Sequence, residues 1–143
     1  MKVKDILESK GSAVATIPAE ASLHDALERL IELRIGSLVV VDGHDPIAGI
    51  LTERDLLREC AIHPEGMREM AVREIMSSNP IIAVPEDEVA YIMGIMTHNR
   101  IRHLPILDGE RLAGMISIGD VVKAQLEAAE FENRYLRDFI QHS

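Results

Sequence analysis

The sequence IAGILTERD at residues 47–55 occurs a second time in this chain, as LAGMISIGD at residues 112–120. Each copy predicts an apolar strand that passes through a glycine into Thr/Ser-x-x-Asp, with a helix beginning directly behind it. Gly49 and Gly114 lie 65 residues apart, and so do Asp55 and Asp120. An internal repeat of this length sets the architecture of a chain of 143 residues.

The repeat extends well beyond this stretch. VKDIL at residues 3–7 matches VREIM at residues 72–76 with an offset of 69, and Pro18 matches Pro85 with an offset of 67. The offset decreases in small steps, as expected when one or two residues are lost from loops. We therefore divide the chain into repeat 1 at residues 1–62, repeat 2 at residues 63–125 and a C-terminal helical extension at residues 126–143.

Hydrophobic periodicity predicts the same order of elements in both repeats, so the fold class is α+β, with two β-α-β-β-α units and an extended C-terminal helix. For repeat 2 we expect a lead-in helix within residues 67–76, a strand at residues 81–84, a helix at residues 88–99 and two further strands. Neither repeat has enough strands to bury both of its helices. We therefore expect the two repeats to pack against each other about a pseudo-twofold axis.

The composition argues against several classes of protein. A net charge of −9 disfavours nucleic-acid binding, which needs a basic surface. The single cysteine, Cys60, excludes an internal disulfide and fits a reducing compartment. No apolar run approaches the length of a membrane span, and no signal-type stretch follows Met1. We expect a soluble, cytoplasmic protein that engages neither nucleic acid nor a membrane.

The repeated Thr/Ser-x-x-Asp has two interpretations. A hydroxyl followed three residues later by an acid is close to a capping box at a helix N-terminus. The same carboxylate could also accept hydrogen bonds from the vicinal hydroxyls of a ribose. The helix N-terminus beside it offers unpaired N–H groups to a phosphate. Gly49 and Gly114 would let a flat base or a neighbouring backbone approach closely.

Further residues complete a recognisable pattern. Pro18 and Pro85 each follow a predicted strand, and residues 101–108 read IRHLPILD. With the repeated motif, they resemble a tandem pair of cystathionine β-synthase (CBS) domains, the regulatory Bateman module. The resemblance covers about residues 3–125. It implies that each aspartate binds ribose, that adenine nucleotides are the usual ligands, and that each site takes residues from both repeats.

Transferred residue by residue, the resemblance implies two sites. The first would use Ile50, Thr52, Arg54 and Asp55, with the base against Pro80, Ile81, Ile101 and Arg102. The second would use Met115, Ser117, Gly119, Asp120 and His103, together with Ser12, Ile35 and Gly36. Most basic residues near the clefts come from repeat 2. The phosphate charge is therefore expected to be held unequally, and one site to be weak or empty.

The expected function is non-enzymatic: a sensor of AMP, ADP or ATP, with no catalytic residue, catalytic cofactor or metal. A homodimer and a separate protein effector are the expected protein partners. One alternative is a structural or protein-interaction module without a small-molecule ligand. Another is a binder of NAD or S-adenosylmethionine, because these ligands also contain adenosine.

The C-terminal helix leaves a further question open. Apolar residues and one asparagine recur at intervals of 4, 3, 4, 3 and 4, the spacing of a heptad seam. They are Val122, Leu126, Ala129, Asn133, Leu136 and Ile140. Phe131, Tyr135 and Phe139 form a second stripe. Either the helix folds back on its own domain, or it joins two protomers.

Overall fold

The computed structural model describes residues 1–141. Its helices are α1 (Val3–Lys10), α2 (Leu23–Leu33), α3 (Glu53–Ile62), α4 (Val89–Asn99) and α5 (Ile118–Gln141). Its strands are β1 (Thr16–Pro18), β2 (Ser37–Asp42), β3 (Asp45–Thr52), β4 (Ser77–Ser78), β5 (His103–Asp108) and β6 (Arg111–Ser117). A short 3₁₀ turn spans Val72–Glu74. This arrangement confirms the predicted α+β class with a long C-terminal helix.

The first half is built on a four-stranded sheet in the order β1-β2-β3-β4. β1 runs parallel to β2, and β2 and β3 form an antiparallel hairpin that closes at the Asp42–Asp45 pair. Leu38, Val39 and Val40 of β2 are completely buried, which explains their unbroken apolar run. Helix α2 packs on this sheet, and its N-cap is Ser22, whose hydroxyl accepts a hydrogen bond from the Asp25 N–H.

The second half has the corresponding hairpin, β5-β6, and the corresponding helices, α4 and α5. The strand expected at residues 81–84 is absent, so this prediction is wrong. Ala83 alone forms a parallel bridge with Ile106, through bonds to the Pro105 carbonyl and from the Leu107 amide. In this register the next bonds would need the amides of residues 85 and 105, and both residues are proline, so the ladder cannot extend.

The two halves exchange the segments that precede their first strands. In α1, Val3 and Ile6 belong to the core of the second half, beside Ile92 and Leu104. Residues 67–76 lie against the first half, where Val72 is completely buried. The lead-in helix expected there is reduced to the 3₁₀ turn. The amides of Val72 and Arg73 donate to the carbonyls of Ala21 and Ala19. The helix ends after this turn because the chain continues directly into β4, which pairs with β3.

The repeated glycines lie where the exchanged segments cross the central strands. A methyl group at Gly49 would lie 2.7 Å from both the Ser77 carbonyl oxygen and Met76 Sδ. A methyl group at Gly114 would lie 2.5 Å from Leu7 Cδ2. The two crossings are equivalent, as expected for repeats that are related by a pseudo-twofold axis. Of the two roles proposed for the glycines, the structure supports close approach of a neighbouring chain segment.

Helix α5 leaves the body of the protein after its first turns. Of its 24 residues, all described by the structure, Val121 is the one that is buried. Residues 125–141 are exposed throughout. The hypothesis that this helix folds back on its own domain is therefore wrong for residues 125–141. Residues 142 and 143 of the predicted extension lie outside the described part of the chain.

Candidate functional site

Two clefts lie between the repeats, and each opens beside one copy of Thr/Ser-x-x-Asp. Cleft A has a volume of about 430 Å³ and lies at the start of α3, beside β4. Cleft B has a volume of about 560 Å³ and lies between the segment before β1 and the end of β6. Gly36 and His103 line both clefts, so the two cavities meet at these residues.

Both motifs form reciprocal capping boxes. The Thr52 N–H donates to Asp55 Oδ2 at 2.9 Å, and the Asp55 N–H donates to Thr52 Oγ1 at 3.2 Å. Ser117 and Asp120 repeat the pattern at 2.8 and 3.1 Å. The capping interpretation is therefore correct for both copies. Capping uses Oδ2 of Asp55 and no described hydrogen bond uses Oδ1, so a cap and a ligand contact are chemically compatible.

The first residue of each of these helices is bonded to the residue that precedes the neighbouring strand of the same hairpin. The Glu53 N–H donates to the Gly36 carbonyl at 3.0 Å, and the Ile118 N–H donates to the Arg102 carbonyl at 2.9 Å. These bonds join the first helical residue of α3 and of α5 to the segment that opens β2 and β5, respectively. The helix N-termini, with their remaining amide donors, are thus held at the clefts.

Cleft A is rich in positive charge although the protein is acidic. Arg54 comes from the first repeat, and Arg100 and Arg102 come from the second. Within residues 1–141 none of these three side chains takes part in an ion pair. Glu53 is the one acidic residue of the lining. The apolar part of the wall comes from Ile50, Leu57, Pro80, Ile81 and Ile101. Guanidinium groups beside an apolar wall suit an anionic ligand that carries a flat ring.

Cleft B differs from cleft A because the aspartate of its motif, Asp120, is already paired with Lys10. Lys10 Nζ donates to Asp120 Oδ2 at 2.5 Å and to the Met115 carbonyl at 2.6 Å. Burial raises the pKa of Asp120, but the bond from Lys10 and those from Ser117 lower it by more, and the net shift is downward. Asp55 has no cation in this position within the described chain. The two pseudo-symmetric sites are therefore chemically unequal.

His103 lies at the junction of the clefts. Its burial lowers its pKa, and the charge of Lys10 adds to the decrease, whereas Glu53 and Asp120 oppose it. The net shift is downward, so the imidazole is neutral at pH 7. A neutral His103 can donate or accept a hydrogen bond at either cleft.

The structure brings most of the predicted residues together. Those of the first site that line cleft A are Ile50, Thr52, Arg54, Pro80, Ile81, Ile101 and Arg102. Those of the second site that line cleft B are Met115, Ser117, His103, Ile35 and Gly36. Neither lining includes Asp55, Ser12, Gly119 or Asp120. Asp120 lies instead beside Lys10 in a separate groove of about 750 Å³ between α1 and α5.

Several lining residues were missed from the sequence. Ala13 and Val14 line cleft B in the way that Pro80 and Ile81 line cleft A. The repeat itself offered this signal, because an offset of 67 relates the two pairs. Lys10 had no such signal, since its role depends on the exchange of α1 between the halves. Ser77 was also missed, because its place in cleft A depends on the exchange of residues 67–76 between the halves.

Across residues 1–141, no group of three or more His, Cys, Asp or Glu side chains is placed to hold a metal ion. None of the described helices combines the length and hydropathy needed to cross a bilayer.

Comparison with known proteins agrees with the internal repeat. The family model of the CBS domain matches residues 3–62 and again residues 72–127. This chain belongs to the CBS domain family and contains a pair of these domains. Such pairs are generally regulatory, ligand-sensing modules, and most have no enzymatic activity of their own.

Individual relatives give the same result. The mitochondrial CBS domain-containing protein CBSX3 of Arabidopsis thaliana is 35% identical, over 97% of this chain and 71% of its own length. A second relative in that plant, CBSCBSPB1, is 24% identical, and this chain spans 23% of its length. The crystal structure of ATU1752 from Agrobacterium tumefaciens is 38% identical with a TM-score of 0.82, covering 87% of this chain and 99% of that one.

A further solved structure concerns assembly. A CBS-CP12 protein from bloom-forming cyanobacteria, described as hexameric, is 26% identical with a TM-score of 0.76. The match covers 95% of this chain and 86% of that one. CBS domain pairs can therefore be part of oligomeric proteins.

Proposed function

We propose that this chain is a sensor module that binds an adenine nucleotide (AMP, ADP or ATP) in cleft A. One observation carries the proposal: three arginines without ion-pair partners in residues 1–141 meet the N-terminus of α3 and an apolar wall in a single cleft. The arginines would hold the phosphates, and the wall from Pro80, Ile81 and Ile101 would hold the base. Asp55 is next in the chain to the lining residue Arg54, and its Oδ1 would accept from ribose hydroxyls at the edge of the cleft.

Nucleotide binding in cleft A would depend on how the two repeats are positioned relative to each other. Arg54 belongs to one repeat and Arg102 to the other, so a phosphate held by both joins the two halves. A ligand shifts a conformational equilibrium only when its affinity differs between the two states. The joined arrangement would be the state that the ligand favours. A separate protein effector would then recognise that state.

Cleft B is expected to be the weaker site. Lys10 already neutralises the Asp120 carboxylate, so ribose hydroxyls would have to displace an ammonium group at 2.5 Å. We therefore expect one nucleotide per chain, bound in cleft A.

Titration calorimetry with AMP, ADP, ATP, NAD and S-adenosylmethionine tests the proposal. Arg54→Ala should weaken nucleotide binding by about 5- to 30-fold, the loss expected for one exposed, charge-assisted contact. Arg58→Ala is the matched control, because Arg58 is exposed on the same helix and does not line the cleft. Equal effects of the two substitutions would show that the ligand is not held in cleft A.

Two other results would change the assignment. Preference for NAD or S-adenosylmethionine over all three nucleotides would keep the adenosine site but replace the ligand. Absence of binding across the panel would favour a structural or protein-interaction module. Among the described surfaces, exposed helix α5 would then be the first place to search for a partner.

A further inference from the structure

The exposed part of α5 carries a seam that no other part of the described chain covers. Leu126 is 58% exposed and Leu136 is 48% exposed. Ala129 and Asn133 lie between them on the same face. Residues 126–141 extend for about 24 Å at the rise of an α-helix. Large apolar side chains repeated at heptad spacing on an isolated helix indicate a helical partner.

The sequence of the seam assigns the heptad positions. Leu126 and Asn133 occupy a positions, and Ala129 and Leu136 occupy d positions. Glu132 then falls at g, and Glu130 and Arg137 fall at e. The flanking g and e positions decide which orientation a partner helix can take.

A parallel pair places opposite charges together. In a parallel, in-register dimer the g residue of one helix faces the following e residue of the other, so Glu132 faces Arg137 of the second copy, twice by symmetry. Asn133 also meets Asn133 of the second copy, and the two amides can hydrogen-bond across the seam. Both features favour a partner with the same sequence in the same direction.

An antiparallel pair places like charges together. The layers then pair Leu126 with Leu136 and Asn133 with Ala129, which leaves the buried amide without a polar partner. The flanking contacts become Glu130 with Glu130, Glu132 with Glu132, and Lys123 with Arg137. All three are repulsive, so this orientation is disfavoured.

We propose that residues 126–141 of α5 form a parallel, in-register two-stranded coiled coil with a second copy of this chain. The contact is independent of the clefts, so it holds whether or not a nucleotide binds. Phe131 and Tyr135 lie on the opposite face of the helix and take no part in this seam.

Charge substitutions in the full chain, followed by analytical ultracentrifugation, test the proposal. The wild-type protein should dimerise. Arg137→Glu should raise the dimer dissociation constant about tenfold or more, because Glu132 then faces a glutamate twice. Glu132→Arg should weaken the dimer similarly, and combining the two substitutions should restore it. Glu127→Arg, at an outward-facing b position, is the matched control and should leave dimerisation unchanged.

The same variants distinguish the alternatives. In an antiparallel pair Arg137→Glu would bring a glutamate to Lys123 and strengthen the dimer, which would overturn the proposal. A monomeric wild-type protein would overturn it, as would a dimer insensitive to all three variants. Circular dichroism checks that each variant is folded. As a second measurement, Ala129→Cys in a Cys60→Ser background should yield a disulfide-linked dimer on oxidation, since equivalent d positions meet only in the parallel register.

Discussion

Replacing Gly49 by alanine tests whether the crossing of the two repeats depends on the absence of a side chain. The new methyl group would lie 2.7 Å from the carbonyl oxygen of Ser77 and 2.7 Å from Met76 Sδ. Met76 can rotate away, but the carbonyl belongs to β4, whose residues pair with Gly49 and Ile50 in the sheet. The strain can therefore be relieved only by moving backbone.

The repeat supplies a matched control at Gly114. Its added methyl group would meet Leu7 Cδ2 at 2.5 Å, which is the far end of a flexible side chain. Overpacking against fixed atoms costs about 1–3 kcal/mol. Replacing glycine by alanine at a compatible backbone conformation also stabilises a protein by about 0.4–1 kcal/mol, because alanine lowers the conformational entropy of the unfolded chain. We expect Gly49→Ala to destabilise the protein by about 1.5 kcal/mol, and Gly114→Ala to stay within about 1 kcal/mol of wild type.

Thermal unfolding followed by circular dichroism at the helical band provides the measurement. At about 3 °C per kcal/mol for a chain of this size, Gly49→Ala should lower the Tm by about 5 °C. Because Ser77 lines cleft A, the same variant should also weaken nucleotide binding. The reasoning is refuted if Gly114→Ala is the more damaging substitution, or if Gly49→Ala leaves the Tm unchanged.

Two further predictions concern Lys10 and Asp120. Lys10→Ala should free the Asp120 carboxylate and raise the calorimetric stoichiometry from one nucleotide per chain to two. Lys4→Ala is the control, because Lys4 is on the same helix as Lys10 and its ion pair is with Glu86, away from Asp120. An unchanged stoichiometry for Lys10→Ala would contradict the role of Lys10. Folding lowers the pKa of Asp120, so the stability it contributes is present above its unfolded value of 3.8 and is lost as the pH falls through the lower folded value. Asp120→Asn should therefore cost on the order of 1 kcal/mol at pH 7, allowing for solvent screening at Lys10, whose side chain is 36% exposed, and almost nothing at about pH 2 in urea unfolding. An equal cost at both pH values would contradict it.

The local features of this protein were accessible from its sequence. The motif that occurs twice, the helix starts at Thr52 and Ser117, and the strand–turn–strand order each depend on residues close together in the chain. Such patterns determine hydrogen bonding within one turn or one hairpin, so they can be recognised without the rest of the fold. The resemblance to a pair of CBS domains also implied that each of two sites would take residues from both halves.

The same local patterns gave wrong answers where distant segments meet. Residues 81–84 have the apolar character of a strand, but only Ala83 among them pairs with β5, through one bridge to Ile106. Residues 67–76 match the helical lead-in of the first repeat, but the chain that follows them pairs with β3 as strand β4. In both segments a long-range backbone partner overrides the preference of the local sequence.

The inequality of the two clefts depends on contacts of this long-range kind. Thr52/Asp55 and Ser117/Asp120 are the same motif in sequence, and both form the same cap. They differ because helix α1 crosses to the second half and delivers Lys10 to Asp120, a residue 110 positions away. No periodicity or spacing in the sequence predicts the contact between Lys10 and Asp120, because it results from the burial of Val3 and Ile6 in the core of the second half. Local hydrogen-bond chemistry specified the motif twice, and packing between the halves made the two copies different.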